Sequence, residues 1–343
     1  MTIKDQVLLL LENERGKFLS GQEIAQKLSV TRAGVWKAVK TLQKDGYAIE
    51  AVNNKGYTLQ KAPDMLSAAF IEQKLQEENI FLKVQVEKKV DSTNNVLKQY
   101  VANGEKSDMV LLAEEQSAGR GRRGRAFYSP EGTGLYMSLL LHPDTTPEEA
   151  TTLTTMTAVA AAEAIEKVTE ETVQIKWVND VWMRGKKIAG ILTEGAASLE
   201  ERKLDYAIVG IGFNIYEPAG GFPSELQNIA GAIFENDIHR ENLKNRLATE
   251  FITNFMKYYQ TFPERSYLEE YRKRCFVIGK RVRILNPEDA SQSRSKLREE
   301  NRAQALVLGI DDACHLQVQY DDGVVELLSS GEISIRPESV STT

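Results

Sequence analysis

The fold of the N-terminal part is decided by residues 20–44, which read SGQEIAQKLSVTRAGVWKAVKTLQK. Ser20 and Glu23 have the spacing of a capping box, in which each side chain accepts a hydrogen bond from the backbone N–H of the other residue, so a helix should begin near residue 21. A second helix is predicted from about residue 31 to residue 44, with an apolar stripe formed by Val35, Val39 and Leu42. The stretch therefore predicts a helix-turn-helix.

A hairpin and a basic surface extend this prediction. Residues 47–59 predict two short strands around Asn53-Asn54-Lys55-Gly56, turn residues that tolerate positive φ, so the domain should be a winged helix-turn-helix. Residues 1–61 carry ten basic and six acidic side chains, a balance of +4, although the whole chain has a formal charge of −6. This excess favours DNA binding over protein docking or a merely solvated surface. The candidate DNA contacts are Arg32, Trp36, Lys37, Lys40, Lys44 and Lys55. Trp36 could instead pack beneath the hairpin, and core packing is the favoured alternative for it.

The composition is that of a globular chain with several domains. The 343 residues are 42% hydrophobic and 27% charged, close to globular averages, and they predict about two to three domains. The apolar run from Val7 to Leu11 is too short to span a membrane and lacks the flanks of a signal peptide. Two cysteines, Cys275 and Cys314, cannot form a disulfide framework, so we expect a cytoplasmic protein with no membrane partner.

From residue 66 to about residue 272, helical and strand-like runs alternate as in a mixed α/β domain. A turn-rich stretch at 60–64 would link this part to the winged helix. Helices are predicted at 67–78, 94–103, 147–168 and 240–260, and strands around 84–90, 109–114, 134–141, 172–177, 188–194 and 205–213. After residue 275, short strands at 281–285, 303–310, 316–320 and 324–328 predict a small β domain, interrupted by a long polar loop at 286–302.

The most unusual segment is the loop Gly119–Arg125, which reads GRGRRGR. It contains the G-x-G-x-x-G spacing of a dinucleotide-binding turn, but a turn-rich stretch follows it in place of a helix, so that interpretation fails. A flexible loop with glycines and four guanidinium groups suits a phosphate or a carboxylate. The alternatives are a solvated basic loop and an RGG-type nucleic-acid contact, although RGG contacts normally come as repeats.

Catalysis by zinc or by an enzyme nucleophile is poorly supported. The three histidines are far apart, and the sequence has neither a zinc-ligand spacing nor a nucleophile motif. An abundance of Arg and Lys without an activated nucleophile fits nucleotidyl or acyl transfer. In such reactions, positioning and charge stabilisation supply most of the rate enhancement.

Five short motifs occur in chain order: DSTN at 91–94, QSAGRGRRGR at 116–125, KWVND at 176–180, KIAGIL at 187–192 and GIGFN at 210–214. Together they resemble the motifs of the biotin protein ligases, and in particular the bifunctional kind that also represses biotin genes. With the winged helix before them and the small β domain after them, the resemblance covers nearly the whole chain. It implies an α+β multi-domain fold, with a winged helix-turn-helix (residues 1–62), a mixed α/β ligase domain like that of class-II synthetases (66–272) and an SH3-like β-barrel (276–338).

The resemblance further implies a reaction in two steps. Biotin and MgATP would give biotinyl-5′-AMP and pyrophosphate, and the biotinyl group would then pass to one lysine of a biotin carboxyl carrier protein. Biotinyl-5′-AMP would also act as a corepressor that promotes a homodimer on operator DNA. One alternative is a non-enzymatic biotin-sensing transcription factor, against which the retained nucleotide-site residues count. Another is a lipoate or octanoate ligase, against which the biotin-type arginine loop counts.

The resemblance also implies roles for particular residues. The biotin contacts would be Ser92, Thr93, Asn94, Gln116, Arg120, Gly121, Arg122 and Lys187. The nucleotide contacts would be Arg122, Arg125, Phe127, Lys176, Asn179 and Asn214, and the catalytic set Lys187, Arg122, Lys176 and Asp180. Asp180 could help bind Mg²⁺, accept a proton from the target lysine, or simply cap a strand end. Phe127 stands where some members have tryptophan, which keeps stacking but loses an indole N–H, and Val178 replaces a frequent proline.

Overall fold

The computed structural model describes residues 2–60, 64–198, 203–235, 242–285, 303–329 and 334–337. Three sheets organise these residues: an N-terminal hairpin, a seven-stranded central sheet and a five-stranded C-terminal sheet. This architecture confirms the predicted fold class. Residues 61–63 of the expected linker and the expected polar loop at 286–302 lie outside the described residues.

The N-terminal part is a winged helix-turn-helix. Helices α1 (Ile3–Asn13), α2 (Gly21–Lys27) and α3 (Arg32–Lys44) precede the hairpin strands β1 (Ile49–Val52) and β2 (Gly56–Leu59). The capping box is confirmed, because Ser20 Oγ accepts from Glu23 N at 3.1 Å and the Glu23 carboxylate accepts from Ser20 N at 2.8 Å. The sequence patterns do not predict α1, which adds its buried side chains to the core of this domain.

Trp36 is exposed, and the expectation that it packs in the core is wrong. Its side chain is 56% exposed, whereas Val35 and Val39 on the adjacent stripe of α3 are buried. Ile49 and Leu59 of the hairpin already fill the space against that stripe. Because Trp36 is one residue off the buried stripe, it points outward from α3.

Glu12, near the end of α1, carries a buried carboxylate oxygen with no hydrogen-bond partner in the described part of the chain. Burial raises the pKa of Glu12 to about 7, although the charge of Arg15 opposes this. Since the folded pKa lies above the ordinary value of 4.5, ionisation of Glu12 destabilises the fold progressively as the pH rises from 4.5 to about 7.

We therefore expect Glu12→Gln to raise the free energy of unfolding by about 1–2 kcal/mol at pH 8 and to change it little at pH 4.5. Urea denaturation at the two pH values measures the difference. An equal gain at both would contradict a cost due to ionisation.

The central part is a sheet with helices on both faces. Its strands are β3 (Lys83–Val90), β4 (Met109–Gln116), β5 (Gly134–Leu141), β6 (Gln174–Lys176), β7 (Asp180–Met183), β8 (Lys186–Ser198) and β9 (Lys203–Asn214), in the order β3-β4-β5-β9-β8-β7-β6. Its helices are α4 (Ala68–Glu77), α5 (Thr93–Ala102), α6 (Ala150–Thr169), α7 (Leu243–Tyr259) and α8 (Leu268–Arg274). Strand β4 shows both faces buried: Met109 and Leu111 pack in the cluster with α5, and Val110 and Leu112 pack in the main core with α6 and α7. Because apolar side chains occupy both faces of this strand, we expect the functional polar side chains in the loops and at the strand ends.

The predicted helices and strands of this part are present, with ends shifted by a few residues, but β7 and α8 are additions. The strand expected at 172–177 is shorter, because the chain turns after Lys176 and returns antiparallel as β7. Lys176 thereby pairs with Asp180, so two members of one motif lie side by side at a strand end. The seven-residue α8 is too short to show a periodic stripe in the sequence.

The C-terminal part is an antiparallel sheet. It contains β10 (Arg281–Leu285), β11 (Ala303–Ile310), β12 (Leu316–Tyr320), β13 (Val325–Leu328) and β14 (Ser334–Pro337), in the order β13-β12-β11-β10-β14. This confirms the small SH3-like β domain, to which β14 adds a strand that the sequence patterns do not predict. Cys275 and Cys314 are free thiols and both are buried. Within the described ranges, every helix is too short or too polar to cross a membrane.

Candidate functional site

A cavity of about 450 Å³ lies where the arginine loop, the β6–β7 turn and the start of β8 meet. One wall is polar and mostly cationic, with Arg122, Arg125, Lys176, Asn179, Asp180, Lys187 and Asn214. The other wall is apolar, with Phe127, Trp182, Phe222, Leu226 and Ile229. Such a cavity suits an anionic ligand that also carries an apolar or aromatic ring.

The arginine loop is closed by its own main chain. Gly121 N donates to Arg125 O at 2.7 Å, and Phe127 N donates to Gly119 O at 2.8 Å. A Cβ at Gly119 would lie 2.4 Å from Phe127 O, so this close approach requires glycine. In this conformation the loop forms a compact turn.

Arg122 is the arginine of this loop that points toward the β6–β7 turn. Its Nη1 donates to Asn179 Oδ1 at 3.4 Å, and its side chain is half-buried. Burial, and then the neighbouring charge of Arg123, lower the pKa of Arg122. Both effects disfavour the charged guanidinium, so a bound anion would stabilise it.

Lys187 and Asp180 form an ion pair at the cavity wall, with 2.6 Å between Nζ and Oδ1. Gly190 leaves room for it, because a Cβ there would lie 3.1 Å from Lys187 Nζ. Among the described residues that line the cavity, Asp180 is the one acidic side chain. The described residues also contain no cluster of three or more His, Cys, Asp or Glu side chains suited to a metal ion. The wall therefore keeps an excess of positive charge.

Two asparagines of the polar wall are fixed by main-chain carbonyls. Asn179 Nδ2 donates to Ile191 O at 2.8 Å, and Asn214 Nδ2 donates to Gly231 O at 3.1 Å. Asn179 Oδ1 is thereby turned toward Arg122, from which it accepts a hydrogen bond. Lys176 lies beside them with its Nζ 5.5 Å from the centre of the Trp182 ring.

The β6–β7 turn is stabilised by hydrogen bonds with residues that lie outside the five sequence motifs. Tyr271 Oη donates to Val178 O at 3.1 Å, and Trp177 Nε1 donates to Cys314 O at 2.9 Å. The Trp177–Val178 peptide bond is cis. Tyr271 belongs to α8 and Cys314 to the turn between β11 and β12, so two distant segments support the wall that carries Asn179.

A much smaller recess, of about 20 Å³, lies on the other side of Phe127. Ser92, Thr93, Asn94 and Gln116 line it with neutral polar side chains, Arg120 lines it with a guanidinium, and Gly210 and Gly212 lie beside them. Thr93 Oγ1 donates to Gln116 Oε1 at 3.1 Å, and Ser138 Oγ lies 2.7 Å from Thr93 Oγ1. Hydroxyl and amide groups of this kind can both donate to and accept from a neutral polar ring.

The Phe127 ring separates the recess from the larger cavity and borders both. A Cβ at Gly212 would lie 2.4 Å from the ring, and one at Gly190 would lie 3.1 Å from it. The ring therefore fills the space that two glycines of β8 and β9 leave open. A ligand large enough to span both cavities would have to displace it.

The structure brings together the residues predicted for biotin and nucleotide, each of which borders the cavity or the recess. The residues predicted to contact DNA lie elsewhere, exposed on α3 and the hairpin turn. The motif analysis misses the apolar wall of the cavity. The i, i+4, i+7 spacing of Phe222, Leu226 and Ile229 is the signal that could have found it.

Several known proteins are similar to this chain. Residues 86–214 match the biotin/lipoate A/B protein ligase family, 4–58 an HTH domain, and 296–336 the biotin protein ligase C terminal domain. The chain is 37% identical over 232 residues to the bifunctional ligase/repressor BirA of Bacillus spizizenii, covering 68% of this chain and 71% of that one. It is 29% identical over 338 residues to the protein of the same name from Escherichia coli, covering 98% of each. Among solved structures it is similar to biotin protein ligase from Aquifex aeolicus in complex with biotin and ATP, with a TM-score of 0.57, 26% identity and coverage of 74% of this chain and 99% of that one.

Proposed function

Because this chain belongs to the biotin protein ligase family, we propose that it activates biotin with ATP, transfers biotin to a carrier-protein lysine and represses biotin genes. The observation that carries the proposal is the pair of cavities on either side of Phe127. The hydroxyl and amide groups of the recess suit the fused rings of biotin once Phe127 is displaced, and the cationic cavity suits an adenylate. Biotin's carboxylate would then meet ATP near Lys187 and Arg122.

In the first step, a carboxylate oxygen of biotin attacks the α-phosphorus of ATP and pyrophosphate leaves. No enzyme nucleophile is needed, since the substrate supplies it. The chain's task is to hold the two anions together and to stabilise the charge that develops on the phosphoryl oxygens. Lys187 and Arg122 would contact the reacting groups, and Lys176, Arg125, Asn179 and Asn214 would hold the nucleotide.

In the second step, the ε-amine of the carrier lysine attacks the acyl carbon of biotinyl-5′-AMP, and AMP leaves. The amine must lose a proton to complete the amide bond. Asp180, the carboxylate on the cavity wall, would accept it, because it lies beside Lys187 in the cavity where the adenylate would bind.

A magnesium ion fits this site as a companion of the ATP phosphates. Mg²⁺ in proteins usually takes one or two carboxylates together with substrate phosphates and water, and the cavity wall offers Asp180. When bound, the ion would neutralise charge on the phosphates. Asp180 would be the side chain that holds it.

The winged helix would bind operator DNA through the exposed face of α3, which carries Arg32, Trp36, Lys37 and Lys40. Lys55 at the hairpin turn would contact the backbone nearby. Loading with biotinyl-5′-AMP would favour a homodimer, whose two winged helices match a palindromic operator. The buried free thiols fit a protein that works in the cytoplasm.

The proposal is tested with purified protein, biotin, MgATP and an isolated carrier domain. We expect one biotinylated lysine per carrier by mass spectrometry, together with ligand-dependent dimerisation in sedimentation and tighter binding to DNA upstream of biotin genes. Biotin-dependent DNA binding without labelling of the carrier domain would instead indicate a biotin-sensing transcription factor that does not transfer biotin. Labelling with lipoate in preference to biotin would indicate the lipoate branch of the family.

The position of Phe127 leads to a separate prediction. Biotin must displace the ring from Gly190 and Gly212, so part of its binding free energy is lost to that displacement. We expect Phe127→Ala to bind biotin alone about threefold to tenfold more tightly and to raise the KM for ATP, because it loses a stacking surface. Calorimetry with biotin measures the first effect, and Phe81→Ala, which removes an aromatic ring that is 78% exposed, is the control. Weaker biotin binding by Phe127→Ala would contradict a displaced ring.

A further inference from the structure

Glu194 on β8 accepts hydrogen bonds or ion pairs from three side chains behind the small recess. Its carboxylate lies 2.8 Å from Lys98 Nζ, 2.9 Å from Asn94 Nδ2 and 3.3 Å from Arg120 Nη1. Lys98 and Asn94 belong to α5, and Arg120 belongs to the arginine loop. The carboxylate is 19% exposed, so one half-shielded charge joins a strand, a helix and the loop.

The charge of Glu194 is stabilised in this position. Burial acts to raise its pKa, but the hydrogen bonds of Lys98 and Asn94 and the charges of Lys98 and Arg120 outweigh burial and lower the pKa below its ordinary value. Glu194 therefore stays ionised at neutral pH, and its three partners are held by charge-assisted contacts.

The contact with Asn94 orients the floor of the recess. Asn94 donates through Nδ2 to Glu194, so its Oδ1 faces the opposite way and accepts from Ser138 Oγ at 2.6 Å. The amide is also wedged against β9, because a Cβ at Gly210 would lie 2.2 Å from Asn94 Oδ1. Asn94 Nδ2 also donates to Leu192 O at 3.3 Å, so Glu194 and this carbonyl together set the orientation of the amide. Ser138 contacts Thr93 in turn and extends this order to the hydroxyls of the recess.

The contact with Arg120 fixes the start of the arginine loop. Arg120 Nη1 also donates to Asn95 Oδ1 at 3.0 Å, so its guanidinium is tied to α5 and β8 together. Arg122, two residues further on, lines the larger cavity and contacts Asn179. Arg120 borders both cavities, but its guanidinium is held by Asn95 and Glu194, so it also anchors the loop.

We propose that Glu194 is a positioning residue for the biotin half of the reaction. It acts through Asn94 on the recess and through Arg120 on the loop that covers the ligand, and it does not touch the nucleotide. The inference rests on the proposed function. It gives Arg120 the task of an anchor for the arginine loop.

Glu194→Gln tests this, because it keeps the shape and removes the charge. One amide oxygen can still accept from Asn94, but the amide nitrogen then faces two cations that are themselves donors. We expect the KM for biotin, the Kd for biotin and the release rate of biotinyl-5′-AMP each to rise about tenfold, and the KM for ATP to stay within about twofold. Glu194→Asp, which withdraws the charge by one methylene, should release the adenylate about threefold faster.

Two variants serve as controls. Glu115→Gln removes a comparable strand carboxylate, which pairs with Lys89 at 2.7 Å, and is expected to leave all four quantities unchanged. Lys98→Met keeps the contacts of Asn94 and Arg120 with Glu194. This variant is expected to retain biotinyl-5′-AMP as the unaltered protein does. A Lys98→Met variant that reproduces the whole effect of Glu194→Gln would overturn the proposal.

The remaining outcomes are equally decisive. Adenylate release at the unaltered rate in Glu194→Gln, or in Glu194→Asp if the first variant does not fold, overturns the proposal. A parallel change in kcat and in both KM values, with a lower melting temperature, shows a merely structural residue. If the unaltered protein binds no biotin by calorimetry, the proposed function itself fails. If it binds biotin and Glu194→Gln binds it equally well, this inference alone fails.

Discussion

Lys187→Ala is expected to slow the formation of biotinyl-5′-AMP about 100-fold to 1,000-fold, the range found when one group that stabilises transition-state charge is removed. Lys187 Nζ lies at the cavity wall, where the carboxylate of biotin and the α-phosphate of ATP would meet. Both are anionic, and negative charge builds up on the phosphoryl oxygens as the bond forms. A fixed cation therefore helps the transition state more than the bound substrates.

The rate of adenylate formation should fall by more than the removal of one positive charge would cause, because Asp180 would be left without its partner. In the present structure the two groups are 2.6 Å apart. Removing Lys187 leaves a carboxylate that repels both the biotin carboxylate and the phosphates. Lys187→Ala with Asp180→Asn should therefore recover part of the adenylation rate.

Single-turnover formation of adenylate measures the effect, with Lys89→Ala as the control for losing a lysine from a surface ion pair. The affinity of the ligand-free protein for operator DNA should not change, because Lys187 lies in the central part and the DNA contacts are expected on α3. Adenylation within about threefold of the unaltered rate would remove Lys187 from the chemistry.

The sequence predicts those features that depend on local patterns. The capping box of Ser20 and Glu23 is local, and α2 begins where it indicates. The five polar motifs lie mostly at strand ends and loops, and the fold brings residues of all five together around the cavity and the recess. For these residues the chain order and spacing carry enough information.

What the sequence does not predict depends on contacts between distant residues. Trp36 has a large apolar side chain, as many core residues do. Its exposure depends on whether other side chains already fill the core. Glu194 shows no motif of its own, since its three partners are about 75 to 100 residues away in the chain. Phe127 follows the arginine loop in sequence, yet its place against Gly190 and Gly212 arises only when β8 and β9 pair.

Arg122→Gly is expected to release biotinyl-5′-AMP about 100-fold faster and to cause indiscriminate labelling of lysines on nearby proteins. Arg122 lines the large cavity, and its pairing with Asn179 at 3.4 Å ties the arginine loop to the β6–β7 turn. A bound adenylate would give this half-buried guanidinium the anion that it lacks. Its removal both opens the loop and takes away a charge-assisted contact with the ligand.

Arg123→Gly provides a matched control one residue away. Arg123 is exposed and has a φ of 56°, a left-handed conformation that glycine adopts readily, so this substitution does not strain the turn. Both variants remove one arginine from the same loop, but only Arg122→Gly removes the guanidinium that contacts Asn179.

The measurement is the half-life of preformed biotinyl-5′-AMP on the protein, followed by biotin labelling of an unrelated protein such as serum albumin. Arg122→Gly should lose the adenylate quickly and label the albumin, whereas Arg123→Gly and the unaltered protein should retain it for the carrier lysine. Because released biotinyl-5′-AMP acylates any amine, the labelling should rise with albumin concentration and fall when free lysine is added. Equal retention by the two glycine variants would show that the arginine loop closes on the adenylate without Arg122.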